Sequence, residues 1–210
     1  MLWEGRRAVR ILPRPRCDRS QFAPKRRFEG TVTGPTFGSR EDGTAMRSIA
    51  IINQKGGVGK TTTAVNLCAS LAATGLRVGL IDLDPQAHAS LHLGLGPHRE
   101  IPTTYDLLTS GAKLSDIWQQ VEPNLRVACS HIDLAAAEVE LAGVVGRELI
   151  LRDALSESSA ELDFVLIDCP PSLGILTLNA LCAVDDVFLP LQPHFLALHG
   201  LSKLLQTIDL

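Results

Sequence analysis

From residue 48 onwards, short runs of Ile, Val and Leu alternate along the chain with longer segments in which apolar residues recur at helical spacing. Such alternation is typical of βαβ units, in which a helix connects two parallel strands. The apolar runs predict strands at residues 48–53, 77–82, 125–130, 163–168 and 187–191. We therefore expect one domain of the α/β class, with a doubly wound, mostly parallel sheet and helices on both faces.

The helical segments between these runs differ in strength. The clearest covers residues 61–74, where Ala64, Leu67 and Leu71 lie on one face and Gly75 follows as a C-cap. Further helices are predicted at residues 105–109, 114–120, 173–183 and 195–208. The last helical pattern continues to Leu210 without a stop signal, so we expect the domain to be truncated at its C-terminus.

Residues 1–46 differ from the rest in charge and hydrophobicity. They hold ten Lys and Arg against five Asp and Glu, whereas residues 47–210 hold ten against 18, a net charge of −8. We expect this basic, proline-containing extension to be disordered, with Met46 as the natural start of the domain. The alternative is a basic arm that contacts DNA, because an acidic domain does not itself attract nucleic acid.

The composition narrows the classes of function. Aromatic residues make up 4% of the 210 residues, too few for a module that stacks nucleic-acid bases. The five cysteines are an odd number without C-x-x-C spacing, which argues against a disulfide framework or a zinc site and fits a reducing cytoplasm. No uncharged stretch reaches the roughly 18 apolar residues of a membrane span.

The segment between the first predicted strand and the first helix carries the strongest chemical signal. It reads Lys55-Gly56-Gly57-Val58-Gly59-Lys60-Thr61-Thr62. Glycines let successive backbone N–H groups turn towards phosphate oxygens, and the helix N-terminus adds positive potential. Lys60 can then reach the β- and γ-phosphates of a nucleotide, and the Thr61 hydroxyl can bind Mg²⁺. A glycine-rich structural turn is the alternative, and Gln54 stands where the general phosphate-loop pattern has glycine.

Acidic residues follow at the ends of two later strands. Asp82 and Asp84 lie in Leu-Ile-Asp-Leu-Asp-Pro-Gln, and their spacing places both on one side if the strand stays extended. Asp168 ends an apolar run and can hold Mg²⁺ through water from a strand tip beside the phosphate loop. For Asp84 the alternative is a strand end followed by a helix N-cap. For Cys169, a buried inert thiol is favoured over a nucleophile.

Three segments resemble one known family. The form K-G-G-x-G-K-T-T, with the additional lysine at Lys55, resembles the deviant Walker A loop of the ParA/Soj/MinD ATPases. Asn-Gln-Lys ahead of it, the D-x-D-P-Q segment and residues 168–181 resemble the ParA/Soj branch. The resemblance covers residues 46–210. It implies that Lys55 crosses a nucleotide-sandwich dimer to the partner's phosphates, that Asp84 positions the hydrolytic water, and that Thr61, Asp84 and Asp168 surround Mg²⁺.

The same resemblance implies a cytoplasmic, nucleoid-associated ATP hydrolase that uses ATP and Mg²⁺. Family members form a homodimer on ATP and bind DNA nonspecifically. They release DNA when a ParB-type partner stimulates hydrolysis, which segregates chromosomes or plasmids. In the family, the adenine pocket and the basic residues for DNA lie largely beyond the position of Leu210.

Other functions remain open at this point. A MinD-like, membrane-associated positioning ATPase would need a C-terminal amphipathic helix, and the predicted helix at 195–208 reads as core-packing. A nitrogenase-reductase-like ATPase would need cysteines placed to share an iron–sulfur cluster. An amidoligase of the superfamily normally lacks a lysine at the position of Lys55. The last alternative is a truncated fragment that keeps the phosphate loop without turnover.

Overall fold

The computed structural model describes residues 9–10, 46–96, 101–158 and 162–191. Within these ranges seven strands form one sheet: β1 (Val9–Arg10), β2 (Arg47–Ile51), β3 (Val78–Asp82), β4 (Trp118–Glu122), β5 (Leu125–Ala128), β6 (Phe164–Asp168) and β7 (Asp186–Phe188). Their order across the sheet is β1-β7-β2-β6-β3-β5-β4, and all neighbours are parallel except β4 and β5. The predicted α/β class with a mostly parallel sheet is confirmed.

Helices connect most of these strands. They are α1 (Lys60–Ala73), α2 (His88–His92), α3 (Thr104–Ser110), α4 (Leu114–Ile117), α5 (Leu134–Glu140), α6 (Ile150–Ser158) and α7 (Ile175–Ala183), with short 3₁₀ turns at Leu141–Gly143 and Arg147–Leu149. Within the described ranges, no helix is both long enough and apolar enough to cross a membrane.

The two faces of the sheet bury separate apolar clusters. On β6, Val165 and Ile167 belong to the cluster that includes residues of α3 to α7. Leu166, between them, belongs to the cluster that includes α1 and α2. Because helices cover both faces, all five residues of β3 are buried, as is usual for strands inside a parallel sheet. This arrangement leaves the carboxyl ends of β2, β3 and β6 together at one edge.

The predicted strand positions agree with the structure, with small differences at the ends. The first prediction, 48–53, corresponds to β2, and the predicted helix at 61–74 corresponds to α1. The last prediction, 187–191, corresponds to β7, which ends at Phe188. Pro190 lies two residues beyond this end, and it cannot donate a backbone hydrogen bond to a sheet neighbour. The predicted helix at 195–208 lies outside the described residues.

The predicted helix at 114–120 is wrong in its second half. Helix α4 ends at Ile117, and Trp118 begins β4, the antiparallel edge strand. The cause is tertiary packing, because the Trp118 indole lies over Gly79 of β3. A Cβ on Gly79 would stand 2.7 Å from the Cη2 atom of that ring. The glycine thus makes room for an aromatic side chain that the edge strand supplies.

The N-terminal extension also differs from its prediction at one point. Residues 1–46 were expected to be without structure, yet Val9–Arg10 forms β1 and pairs in parallel with β7. Main-chain pairing of two residues needs no apolar period in the sequence, so the hydrophobic pattern gave no signal for it. The other residues before 46 lie outside the described ranges.

Candidate phosphate-binding site

The loop between β2 and α1 has the backbone shape of an anion-binding turn. Gly57 and Gly59 have φ angles of 72° and 93°, in the left-handed region that favours glycine. Helix α1 begins directly after Gly59, without a side-chain cap and without an acidic residue in its first turn. The first backbone N–H groups of α1 therefore keep their hydrogen-bonding capacity for an external anion.

Asn53 fixes the start of this loop. Its Nδ2 donates a hydrogen bond to the Pro190 carbonyl at 2.8 Å, and its Oδ1 accepts one from the backbone N of Lys55 at 2.9 Å. The side chain of Lys55 is exposed. The end of β7 therefore supports the loop from one side, while Lys55 faces outwards, where a second molecule could meet it.

Lys60 is the buried cation of the site. Only 7% of the residue is exposed, and no hydrogen bond or ion pair within the described part of the chain engages its ammonium group. Val58, two residues earlier, is fully buried, whereas Thr61 is half-buried and Thr62 is exposed. A cation held at the start of α1, beside the helix N-terminus, suits a ligand that brings negative charge.

Asp168 is the complementary buried anion, at the end of β6. It is fully buried, and neither carboxylate oxygen has a hydrogen-bond partner among the described residues. Burial raises the pKa of Asp168 to about 7; the nearby Thr61 hydroxyl lowers it, the Asp82 and Asp84 charges raise it, and the Lys60 charge lowers it. The Thr61 hydroxyl is thus close to the carboxylate without forming a hydrogen bond to it.

The two aspartates after β3 have different surroundings. Asp82 is fully buried, and burial raises its pKa to about 6 even though Ser90 and the backbone of Asp84 donate hydrogen bonds to it. Asp84 is half-buried, and its Oδ1 accepts a hydrogen bond from the backbone N of Gln86 at 3.0 Å. Because β3 ends at Asp82, the pair does not share an extended strand. Asp84 caps the following turn, and no side-chain cap is present at the start of α2.

The oxygen atoms at this edge fit a hard divalent cation. Asp168 offers a buried carboxylate that no donor in the described part of the chain engages, and the Thr61 hydroxyl lies beside it. Carboxylate and hydroxyl oxygens, completed by water and phosphate, are the usual ligands of Mg²⁺. Among the residues the structure describes, no group of three His, Cys, Asp or Glu side chains could hold a metal ion alone. A cation here would therefore need phosphate or water oxygens as well.

Cys169 and Ser90 also lie at this edge of the sheet. Burial raises the pKa of the Cys169 thiol, and Asp168 adds to this effect, so the side chain fits the expected inert thiol. Ser90 was missed by the sequence analysis, although it donates two hydrogen bonds to Asp82. Its distance of eight residues from Asp82 matches no regular strand or helix spacing, so the sequence held no signal for the contact.

Comparison with known proteins gives consistent results. Residues 46–210 match a family described as AAA domain. The chain is 49% identical over 174 residues to the chromosome partitioning protein ParA of Myxococcus xanthus, covering 82% of this chain and 62% of that protein. It is 49% identical over 163 residues to the sporulation initiation inhibitor protein Soj of Bacillus subtilis, covering 77% and 64%. The chain thus spans a little over three fifths of these relatives.

A solved structure with a bound nucleotide is also similar. It is the cobyrinic acid a,c-diamide synthase of Mycobacterium smegmatis with a bound ATP analogue and magnesium. The TM-score is 0.74 at 41% sequence identity, and the match covers 78% of this chain and 67% of that one. The fold described above therefore has a counterpart that was solved with a bound ATP analogue and magnesium.

Proposed function

Since the chain belongs to the AAA domain family and, within it, to the ParA/Soj partition ATPases, we propose that it is a Mg²⁺-dependent ATPase switch that dimerises on ATP. One observation carries the proposal. A lysine that is 7% exposed and a buried aspartate whose carboxylate oxygens have no hydrogen-bond partner among the described residues flank an uncapped helix N-terminus at one edge of the sheet. A buried carboxylate without a partner is costly, and a triphosphate with a divalent cation would satisfy this carboxylate, the Lys60 ammonium group and the helix N-terminus together.

Each residue has a role in this proposal. The backbone of residues 56–62 and the Lys60 ammonium bind the phosphates, while Thr61, Asp84 and Asp168 hold the cation directly or through water. Bound Mg²⁺ would neutralise charge on the β- and γ-phosphates. Asp84, at the more exposed position, orients the attacking water. Lys55 reaches the phosphates of a partner molecule, a role that the family resemblance implies and its exposure permits.

Lys60→Ala tests the nucleotide site. Without the ammonium group, the loop N–H groups alone compensate the triphosphate charge poorly, so we expect ATP turnover to fall at least about 100-fold. Phosphate release with Mg²⁺ and ATP measures this. Lys113→Ala, which removes an exposed lysine at the start of α4, is the matched control and should retain wild-type turnover. Equal activity of the two variants would refute the phosphate-binding role of the loop.

We also propose that the protein is cytoplasmic and nucleoid-associated. Its proposed partners are nonspecific DNA and a ParB-type activator. Residues 47–210 carry a net charge of −8, so this part should bind duplex DNA weakly, whereas residues 1–46 carry +5. Filter binding of residues 1–210 and of residues 47–210 across a salt series measures how much of the DNA affinity comes from the extension. Each phosphate that it neutralises adds about 0.9 to the slope of log K against log salt.

The M. smegmatis protein offers a second candidate, because its name describes amide synthesis. An amidoligase consumes ATP only when an acid substrate is present, whereas a partition ATPase turns ATP over without one. ATP turnover in the absence of any carboxylic acid substrate therefore separates the two. Lys55 favours the partition ATPase, because the resemblance associates this lysine with that branch.

A further inference from the structure

A buried hydrogen-bond network surrounds the segment that carries Asp84. The Oδ2 atom of Asp82 accepts hydrogen bonds from the backbone N of Ser90 at 2.9 Å and from its hydroxyl at 2.8 Å. The Oδ1 atom of Asp82 accepts one from the backbone N of Asp84 at 3.1 Å. A single carboxylate therefore holds both ends of the segment from residue 84 to residue 90.

Ser90 extends the network to a third element. Its Oγ accepts a hydrogen bond of 3.1 Å from the backbone N of Ser130, just after β5. Ser90 and Ser130 are 2% and 4% exposed, so water does not replace these bonds when they break. Asp82, Ser90 and the backbone N–H groups of Asp84 and Ser130 are called the Asp82–Ser90 network below. It joins the end of β3 to α2 and to the end of β5.

The segment also contains a backbone conformation that needs support. Ala87 has a φ angle of 52°, in the left-handed region, although it is not glycine. Such a residue costs about 1 kcal/mol and persists only where its surroundings fix it. The backbone N of Ala87 donates to the carbonyl of Asp84 at 2.8 Å, so the turn that contains Ala87 also sets the orientation of Asp84.

We propose that Asp82 and Ser90 are positioning residues that hold the Asp84 carboxylate at the phosphate-binding edge without touching the nucleotide. The proposal rests on the proposed function, because that function gives Asp84 its role in hydrolysis. A buried carboxylate adds little net stability compared with a well-packed apolar side chain. Its place at the end of β3 is instead explained by the segment that it fixes.

Hydrogen exchange of the full chain tests the network without reference to activity. Ser90→Ala removes the hydroxyl donor to Asp82 and the acceptor for the Ser130 N–H, while the backbone donor at residue 90 remains. We expect faster exchange in peptides covering residues 84–92 and no change in peptides from α1. Ser130→Ala is the matched control, because its hydroxyl has no hydrogen-bond partner in the described structure and its backbone bond is kept. Wild-type exchange of residues 84–92 in Ser90→Ala would overturn the proposal.

ATP turnover tests the consequence for Asp84. We expect Ser90→Ala to lower kcat on the order of 10-fold while the Kd for ATP changes by less than about twofold, because misplacement affects the reacting geometry more than phosphate binding. Ser130→Ala should match wild type in both. Ser90→Cys, which keeps a weaker donor on a somewhat larger atom, should give an intermediate kcat.

The two proposals fail in different ways. If Asp84→Ala hydrolyses ATP at the wild-type rate, the role of Asp84 in the proposed function is wrong. If Asp84→Ala is inactive but Ser90→Ala keeps the wild-type kcat at a temperature where it is folded, the positioning proposal alone is overturned.

Discussion

The side-chain amide of Asn53 donates a hydrogen bond of 2.8 Å to the backbone carbonyl of Pro190, and this bond ties the phosphate loop to the chain that follows β7. The same side chain accepts a bond from the backbone N of Lys55. The loop therefore depends on a contact between segments that are far apart in sequence, as well as on its own glycines.

Asn53→Ala should weaken ATP binding about 10-fold, because the loop loses two hydrogen bonds worth about 1 kcal/mol each and part of that loss appears in binding. Titration with a fluorescent ATP analogue measures the Kd. Asn124→Ala is the control, since Asn124 also bonds a backbone carbonyl, that of Ala72, but lies at the turn before β5. The same Kd in both variants would show that the Asn53 contact does not shape the loop for binding.

Lys55→Ala and Asp84→Ala should separate dimerisation from hydrolysis. Lys55→Ala should remain a monomer with ATP, because the lysine is assigned to the partner's phosphates. Asp84→Ala should form the dimer but not turn ATP over, because its carboxylate is assigned to the attacking water. Sedimentation with ATP measures dimerisation, and a phosphate-release assay measures hydrolysis. Normal ATP-dependent dimerisation of Lys55→Ala would contradict the part of the proposal that is specific to the family.

Asp168→Asn should stabilise the protein when neither nucleotide nor Mg²⁺ is present. Burial raises the pKa of Asp168 from 3.8 to about 7, so the folded state holds a proton that the unfolded state releases, and stability falls as the pH rises between these values. The full penalty, roughly 4 kcal/mol from the shift, is reached above the folded pKa. The buried amide of asparagine offsets part of the gain, which leaves an expected rise in Tm of about 3–8 °C at pH 8.

The pH dependence of the gain in stability of Asp168→Asn shows whether the gain comes from removing a charged carboxylate or from a change in packing. At pH 6 the folded carboxyl is mostly protonated, so the gain should shrink by roughly 1 kcal/mol relative to pH 8. Thermal melts at the two pH values, with and without Mg²⁺ and ATP, measure it. With both ligands the order should reverse, and wild type should melt higher. A gain that is equal at both pH values would contradict the assignment to ionised Asp168.

Ala87→Gly and Ala69→Gly should change stability in opposite directions. Ala87 has a φ angle of 52°, which glycine adopts without strain, so the expected gain is about 0.5–1 kcal/mol. Ala69 is an exposed residue of α1, where glycine costs about 0.5–1 kcal/mol. Urea midpoints measure both. A lower midpoint for Ala87→Gly would show that the left-handed conformation at residue 87 is not strained.

The sheet and the phosphate loop could be predicted because their signals are local. An apolar run followed by Gly-Lys-Thr and a helical period lies within about 30 residues of sequence, and each part supports the others. Helix α5 was not predicted. Its buried residues Leu134, Ala137 and Leu141 have helical spacing, but the helix is too short for this pattern to stand out. Strand β4 carried none, because the Trp118 ring is drawn to Gly79 by packing.

The different roles of Asp82 and Asp84 could not be predicted from their spacing. The spacing of two residues predicts that both side chains lie on the same side of a strand. This holds only if the strand continues through both aspartates. The strand stops at Asp82, where the backbone N of Asp84 donates to the Asp82 carboxylate and Ser90 of α2 donates two more hydrogen bonds to it. The end of the strand therefore depends on how α2 packs against β3 and β5, and the sequence near the aspartates carries no signal for this packing.

The register of the sheet has a consequence for synthesis on the ribosome. Ile51 pairs with Asp168, and the other edge of β2 pairs with β7. The phosphate loop is thus translated about 110 residues before either neighbouring strand, which at ~5–20 residues per second is about 5–25 s. Throughout that interval the apolar strand before the loop has no permanent neighbours, so it is open to chaperones or to mispairing. Under the proposed function, nucleotide cannot assist the early steps of folding, because Asp168, which is assigned to its cation, has not yet been made.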